Sequence, residues 1–127
     1  YNLSADDTYS ITSMIQKSIQ IIQQEFGMPI NENSMYYERF VTHLKFFAKR
    51  VYRTEQWRDD EAELVDMFEK KYPQEYACSQ KIAAFISDEY GVHVSREEMM
   101  YLAIHIRRVF KKSSENADTD ERVEEEI

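Results

Sequence analysis

His43 lies in FVTHLKFFAKRVY and His105 in YLAIHIRRVF, and both are embedded among apolar residues with cationic side chains at helical spacing. Arg39 stands four residues before His43 and Arg50 seven after it, so a helix places all three on one face with Tyr36 and Phe47. Around His105, Tyr101, Arg108 and Lys112 occupy minus four, plus three and plus seven. Each histidine is open to three readings: a packed core residue, a metal ligand, or a group that changes charge. Nearby positive charge and desolvation both disfavour an imidazolium, so these settings suit a neutral imidazole able to receive an anion. A phosphoryl group on a ring nitrogen would add roughly -1.5 to -2 charges and several acceptor oxygens, which arginines pair with through charge-assisted hydrogen bonds. By helical spacing alone, Arg39, Arg50 and Arg108 are the candidates for pairing or positioning that charge, and solvated surface roles remain open for each.

The elements that position these residues read as helices. Phe40, Val41, Leu44, Phe47, Ala48 and Val51 recur at the three-and-four spacing of an amphipathic helix, which the pattern carries to about Tyr52. Before it, Ile11, Ile15, Ile19, Ile22 and Phe26 trace the stripe of a first helix from about Asp7 to Phe26, stopped by GMPIN, with Gly27 available as a cap. Asn31 or Asn33 is expected to cap the second helix. After the polar loop RTEQWRDD, Asp59 or Asp60 can cap a short third helix containing Leu64, Val65 and Phe68, which should stop before Pro73. A fourth helix, about Pro73 to Tyr90, buries Cys78, Ile82, Phe85 and Ile86 and ends at Gly91. Ser95-Arg96-Glu97-Glu98 is a capping box for the fifth, whose buried stripe is Met99, Leu102, Ile106 and Val109. No strand pattern competes, so the expected fold class is an all-helical bundle.

Composition agrees. A chain of 127 residues with 43% hydrophobic content can bury one sizeable core, and two glycines and two prolines suit long helices with short connections. One cysteine excludes an intrachain disulfide framework and fits a reducing compartment. There is no membrane-length apolar run and no signal peptide in YNLSADDTYS, so a cytoplasmic location is expected; beginning at Tyr1, the chain reads as a piece of something longer. The formal charge of -8 is uneven: SSENADTDERVEEEI carries seven acidic residues and one arginine, leaving -2 for the rest. The expected organisation is a domain over 1–112 and an acidic, disordered, solvating tail over 113–127. No basic face suggests that this domain grips nucleic acid itself.

FVTHLKFFAKRVY and EEMMYLAIHIRRVF, about sixty residues apart, resemble the two histidine motifs of a PTS regulation domain, most closely the second such domain of BglG/LicT-type transcriptional antiterminators. The likeness runs from SITSMIQKSIQIIQQEFGMPINENS through YPQEYACSQKIAAFISDEYGVHVSREE, nearly everything but the acidic tail. It implies a five-helix bundle with the first and fourth, and the second and fifth, helices as antiparallel pairs. It also implies a homodimer with the histidine surface at or near its interface. Carried over residue by residue, His43 and His105 match the family's phosphoacceptors. Their expected donors are proteins of the sugar phosphotransferase system, chiefly HPr and alternatively a sugar-specific EIIB, in a response tied to carbon-catabolite control. RNA would be engaged by an upstream domain absent from this chain.

Other classes fare worse. No HExxH motif, glycine-rich phosphate loop or metal-ligand spacing accompanies either histidine, so no catalysis, metal or cofactor is expected. Cys78, on an apolar stripe with no histidine nearby in sequence, reads as structural, and His93 in GVHVS matches neither motif and reads as a loop residue. Two rivals remain: an unphosphorylated helical dimerisation module, which would use Tyr36, Tyr37, Phe40, Phe46 and Phe47 as packing or interface surface, and the same regulatory domain in a DNA-binding activator.

Overall fold

The computed structural model describes residues 5–53 and 62–113, the last three by backbone alone. Among the described residues there are five helices: α1 (Ala5–Phe26), α2 (Met35–Tyr52), α3 (Ala62–Lys71), α4 (Pro73–Tyr90) and α5 (Arg96–Ser113). There is no strand among the described residues, and the all-helical class follows. Asp59, Asp60 and the acidic tail after Ser113 lie outside the described residues, as does the side chain of Lys112.

Local chemistry sets the helix ends. Asp6 and Asp7 place negative charge in the first turn of α1, where it meets the helix dipole favourably. Gly27, at φ 66°, takes the left-handed conformation that closes α1, and the Met28 amide donates back to the Gln23 carbonyl at 3.3 Å. The Gln23 side-chain oxygen then accepts from the Ile30 amide at 3.0 Å, so the turn is fastened where Ile30 enters the core.

The cap of α2 is Ser34, not Asn31 or Asn33. Ser34 has the extended backbone of a cap, φ -94° and ψ 153°, and its hydroxyl accepts from the Tyr37 amide at 3.1 Å. Asn31 instead accepts from the Asn33 amide at 3.0 Å, forming the turn that leads in. A single residue, Tyr72, separates α3 from α4, which has Pro73 in its first turn and the left-handed Gly91 at its end. Ser95 accepts from the Glu98 amide at 3.1 Å to start α5.

Cross-helix contacts fix the directions. Tyr90, at the end of α4, donates to the Ser10 carbonyl near the start of α1, whereas Lys81, farther back on α4, pairs with Glu25 at the end of α1. These two helices are therefore antiparallel. On α2 and α5, His43 meets His105 while Arg50 meets Glu98, the same reversal of order. Both expected pairings are present, and α4 also packs extensively along α5.

The main core interleaves Met14 and Ile22 of α1, Leu44 and Phe47 of α2, Ile82 of α4 and Ile106 of α5. A smaller cluster of Val65, Tyr76 and Ala103 seats α3 against α4 and α5. Arg96 on α5 reinforces that seat by pairing with Asp66 at 2.6 Å. Phe85, Met99 and Val41 are only half-buried, at the margins of their stripes.

Candidate functional site

The α2–α5 pair brings the two histidines face to face. Their rings stack with centroids 3.9 Å apart and an interplanar angle of 15°. His105 is buried at 4% exposure, and His43 is half-buried beside it. Burial, the His43 ring and the charges of Arg108 and Arg50 push the His105 pKa down to about 3. Burial, then Arg108, Arg39 and Arg50, lower that of His43. Two imidazolium rings at this separation would repel in a poorly solvated setting, so both are neutral near pH 7.

Tyr101, one turn before His105 on α5, meets both rings edge-on, at 6.0 Å from His43 and 4.7 Å from His105. Its hydroxyl lies 3.1 Å from His43 Nδ1 and 3.4 Å from the His43 carbonyl oxygen. Burial raises the Tyr101 pKa despite the opposing charge of Arg50, so the phenol keeps its proton at neutral pH.

Beneath this group runs a buried ion pair. Arg50 donates from Nε at 2.7 Å and from a terminal nitrogen at 2.8 Å to the two carboxylate oxygens of Glu98, a bidentate geometry. The Glu98 side chain is fully buried, and Arg50 is 17% exposed. The Arg50 guanidinium also lies 4.5 Å from the Tyr101 ring centroid. A neighbouring carboxylate and aromatic ring thus hold the arginine in place.

The residues expected from sequence fall as follows. His43, His105, Arg50 and Arg108 gather at one α2–α5 crossing, and Arg39 acts on His43 through its charge while lying 5.7 Å from the Tyr36 ring centroid. His93 is exposed between α4 and α5, away from the pair. Cys78 is fully buried, and burial pushes its thiol up to about 12, far from a reactive thiolate. Among the described residues, no group of three or more His, Cys, Asp or Glu side chains could hold a metal ion. No described helix is long and apolar enough to cross a membrane.

Glu98 is the residue that sequence reasoning missed, because its capping role already accounted for it. A signal was available. Glu98 precedes His105 by seven residues and Arg50 follows His43 by seven, so an antiparallel register that opposes the histidines also opposes Arg50 and Glu98.

The described residues form a helical bundle with two histidines stacked between α2 and α5; the PRD domain model matches residues 16–109, and the chain belongs to that family. Among its relatives, it is similar to the transcription antiterminator LicT of Bacillus subtilis strain 168, 38% identical over 104 residues, which is 82% of this chain and 38% of that protein. The beta-glucoside operon antiterminator of Dickeya chrysanthemi is 42% identical over 100 residues, covering 78% of this chain and 35% of the relative. Protein GlcT of Staphylococcus aureus strain JH9 is 30% identical over 105 residues, 83% and 37% respectively. The chain therefore spans less than two-fifths of the length of these curated relatives.

Proposed function

We propose that this chain is the regulatory domain of a transcriptional antiterminator. In this reading, His43 and His105 accept phosphoryl groups from the sugar phosphotransferase system, with HPr as the expected donor and a sugar-specific EIIB as the alternative. The added charge shifts a homodimer between inactive and active states in control of sugar-utilisation genes, and RNA is bound by a domain outside this chain. The observation that carries the reading is the stack of two neutral imidazoles, 3.9 Å apart, in the field of Arg50 and Arg108. Neutral rings keep a nucleophilic nitrogen, and the surrounding cations favour the anion that phosphorylation would create.

The energetics favour a switch over a passive label. Stacked neutral rings pack at no electrostatic cost, whereas a phosphoryl group of roughly -1.5 to -2 charges must be paired or carried to solvent. Arg50 could pair with it through N–H groups that Glu98 does not use, or by loosening its hold on Glu98, which would strand a buried carboxylate. Arg108 and Arg39 are the other cations close enough to influence His43. Either response changes the α2–α5 packing, a local event able to bias an interface. Phe46, three residues from His43 on α2, is 51% exposed and offers apolar surface for association.

The test is mass spectrometry under non-acidic conditions after incubation with enzyme I, HPr and phosphoenolpyruvate, comparing wild type with His43→Ala and His105→Ala. A phosphoryl adduct that depends on either histidine is the expected result. No adduct on the folded protein, with HPr demonstrably charged, overturns the reading and leaves a dimerisation module.

A further inference from the structure

The Tyr101 hydroxyl faces two acceptor-capable groups of one residue, His43 Nδ1 at 3.1 Å and the His43 carbonyl at 3.4 Å. A phenol has a single hydrogen to donate but can also accept. If Nδ1 bears no proton, Tyr101 can satisfy only one of the two contacts as donor. If Nδ1 is protonated, it donates to the Tyr101 oxygen while the hydroxyl hydrogen turns to the carbonyl, and both contacts become hydrogen bonds. The second arrangement uses the geometry fully and leaves the lone pair of the other ring nitrogen, Nε2, available.

Tyr101 is also held from the far side. Arg50 lies against its ring, donates to its hydroxyl oxygen and is itself clamped to buried Glu98, and the His105 ring meets the same phenol edge-on at 4.7 Å.

Building on the function proposed above, we propose that Tyr101 is a positioning residue that fixes His43 in its Nδ1–H tautomer and so makes Nε2 the phosphoacceptor nitrogen. In the transfer, Nε2 attacks the phosphorus of a phosphohistidine on the donor protein. The donor P–N bond breaks with its electron pair returning to the donor nitrogen, and the Nε2–P bond forms. The donor imidazole gains a proton from solvent and the His43 ring releases one from Nδ1, which balances the exchange. Once Nδ1 is deprotonated, the Tyr101 hydroxyl swings from the carbonyl to donate to it. One oxygen thereby serves the ring both before and after transfer.

The tautomer is measured directly by long-range proton–nitrogen NMR on the nitrogen-15-labelled protein, as wild type and Tyr101→Phe. The linkage is read from nitrogen and phosphorus spectra after phosphorylation by charged HPr. Wild type is expected to show His43 protonated at Nδ1 and phosphorylated at Nε2. Tyr101→Phe keeps the ring but is expected to lose the tautomer preference and to accept phosphate roughly two- to tenfold more slowly, the worth of one hydrogen bond. An Nε2–H tautomer in wild type, an Nδ1-linked product, or an unchanged tautomer and rate in Tyr101→Phe overturns the inference while leaving phosphorylation of His43 standing. An Nδ1–H tautomer that depends on Tyr101, in a wild-type protein that takes no phosphate, overturns the functional reading and with it the assignment of Nε2.

Discussion

At the residue scale, the stacked histidines couple folding to pH. An unfolded histidine titrates near 6.5, whereas His105 in the folded chain is pushed down to about 3. Between these values the unfolded chain binds the extra proton, so this contribution to stability is intact above pH 6.5 and is lost as pH falls toward 3. The slope for one such group approaches about 1.4 kcal/mol per pH unit. Urea unfolding at several values between pH 5 and 7.5 should show wild type losing stability on acidification, and His105→Gln should lose distinctly less over the same interval. The Arg50–Glu98 pair behaves differently, because its energy lies in mutual satisfaction. Arg50→Met alone strands the fully buried Glu98 carboxylate and should cost about 3–5 kcal/mol, while adding Glu98→Leu should recover much of that loss. Equal losses in the single and double variants would mean that the pair is not coupled as the geometry requires.

At the element scale, helix ends and register decide whether these residues meet. Ser34→Ala removes the acceptor for the Tyr37 amide and should lower stability by about 1 kcal/mol, whereas Asn33→Ala, at a position that donates from its backbone amide to Asn31, should lower it less. Thermal unfolding of the two variants side by side distinguishes the true cap from its neighbour. Sequence alone made the helices legible because the stripes of Ile15 and Ile22, Leu44 and Phe47, and Leu102 and Ile106 repeat with helical period, and because Gly27, Pro73 and Gly91 punctuate them. The cap was misplaced because serine and asparagine are nearly equivalent at that position, and only the backbone conformation of Ser34 separates them. Both histidines were legible from their motifs and flanking arginines. The Arg50–Glu98 pair was not, since a partner on another helix is fixed by register, which periodicity within one helix does not specify.

At the scale of the whole molecule, the α2–α5 crossing makes the two histidines unequal. His105 is covered and His43 is half-open, so diethyl pyrocarbonate should modify His43 and the exposed His93 well before His105, as read by peptide mass spectrometry. Equal reactivity at His43 and His105 would contradict the packing. On the proposed function, phosphorylation of His43 changes the α2–α5 packing that covers His105, and the reactivity of His105 should then rise. The fully buried Cys78, the one cysteine in the chain, faces the core shared by α1, α2, α4 and α5. Its thiol can meet a bulky alkylating reagent only during moments when that core parts. The molecule therefore carries its own stopwatch for internal opening: the rate at which Cys78 is capped, followed before and after the charge on α2 changes, times how often the bundle breathes.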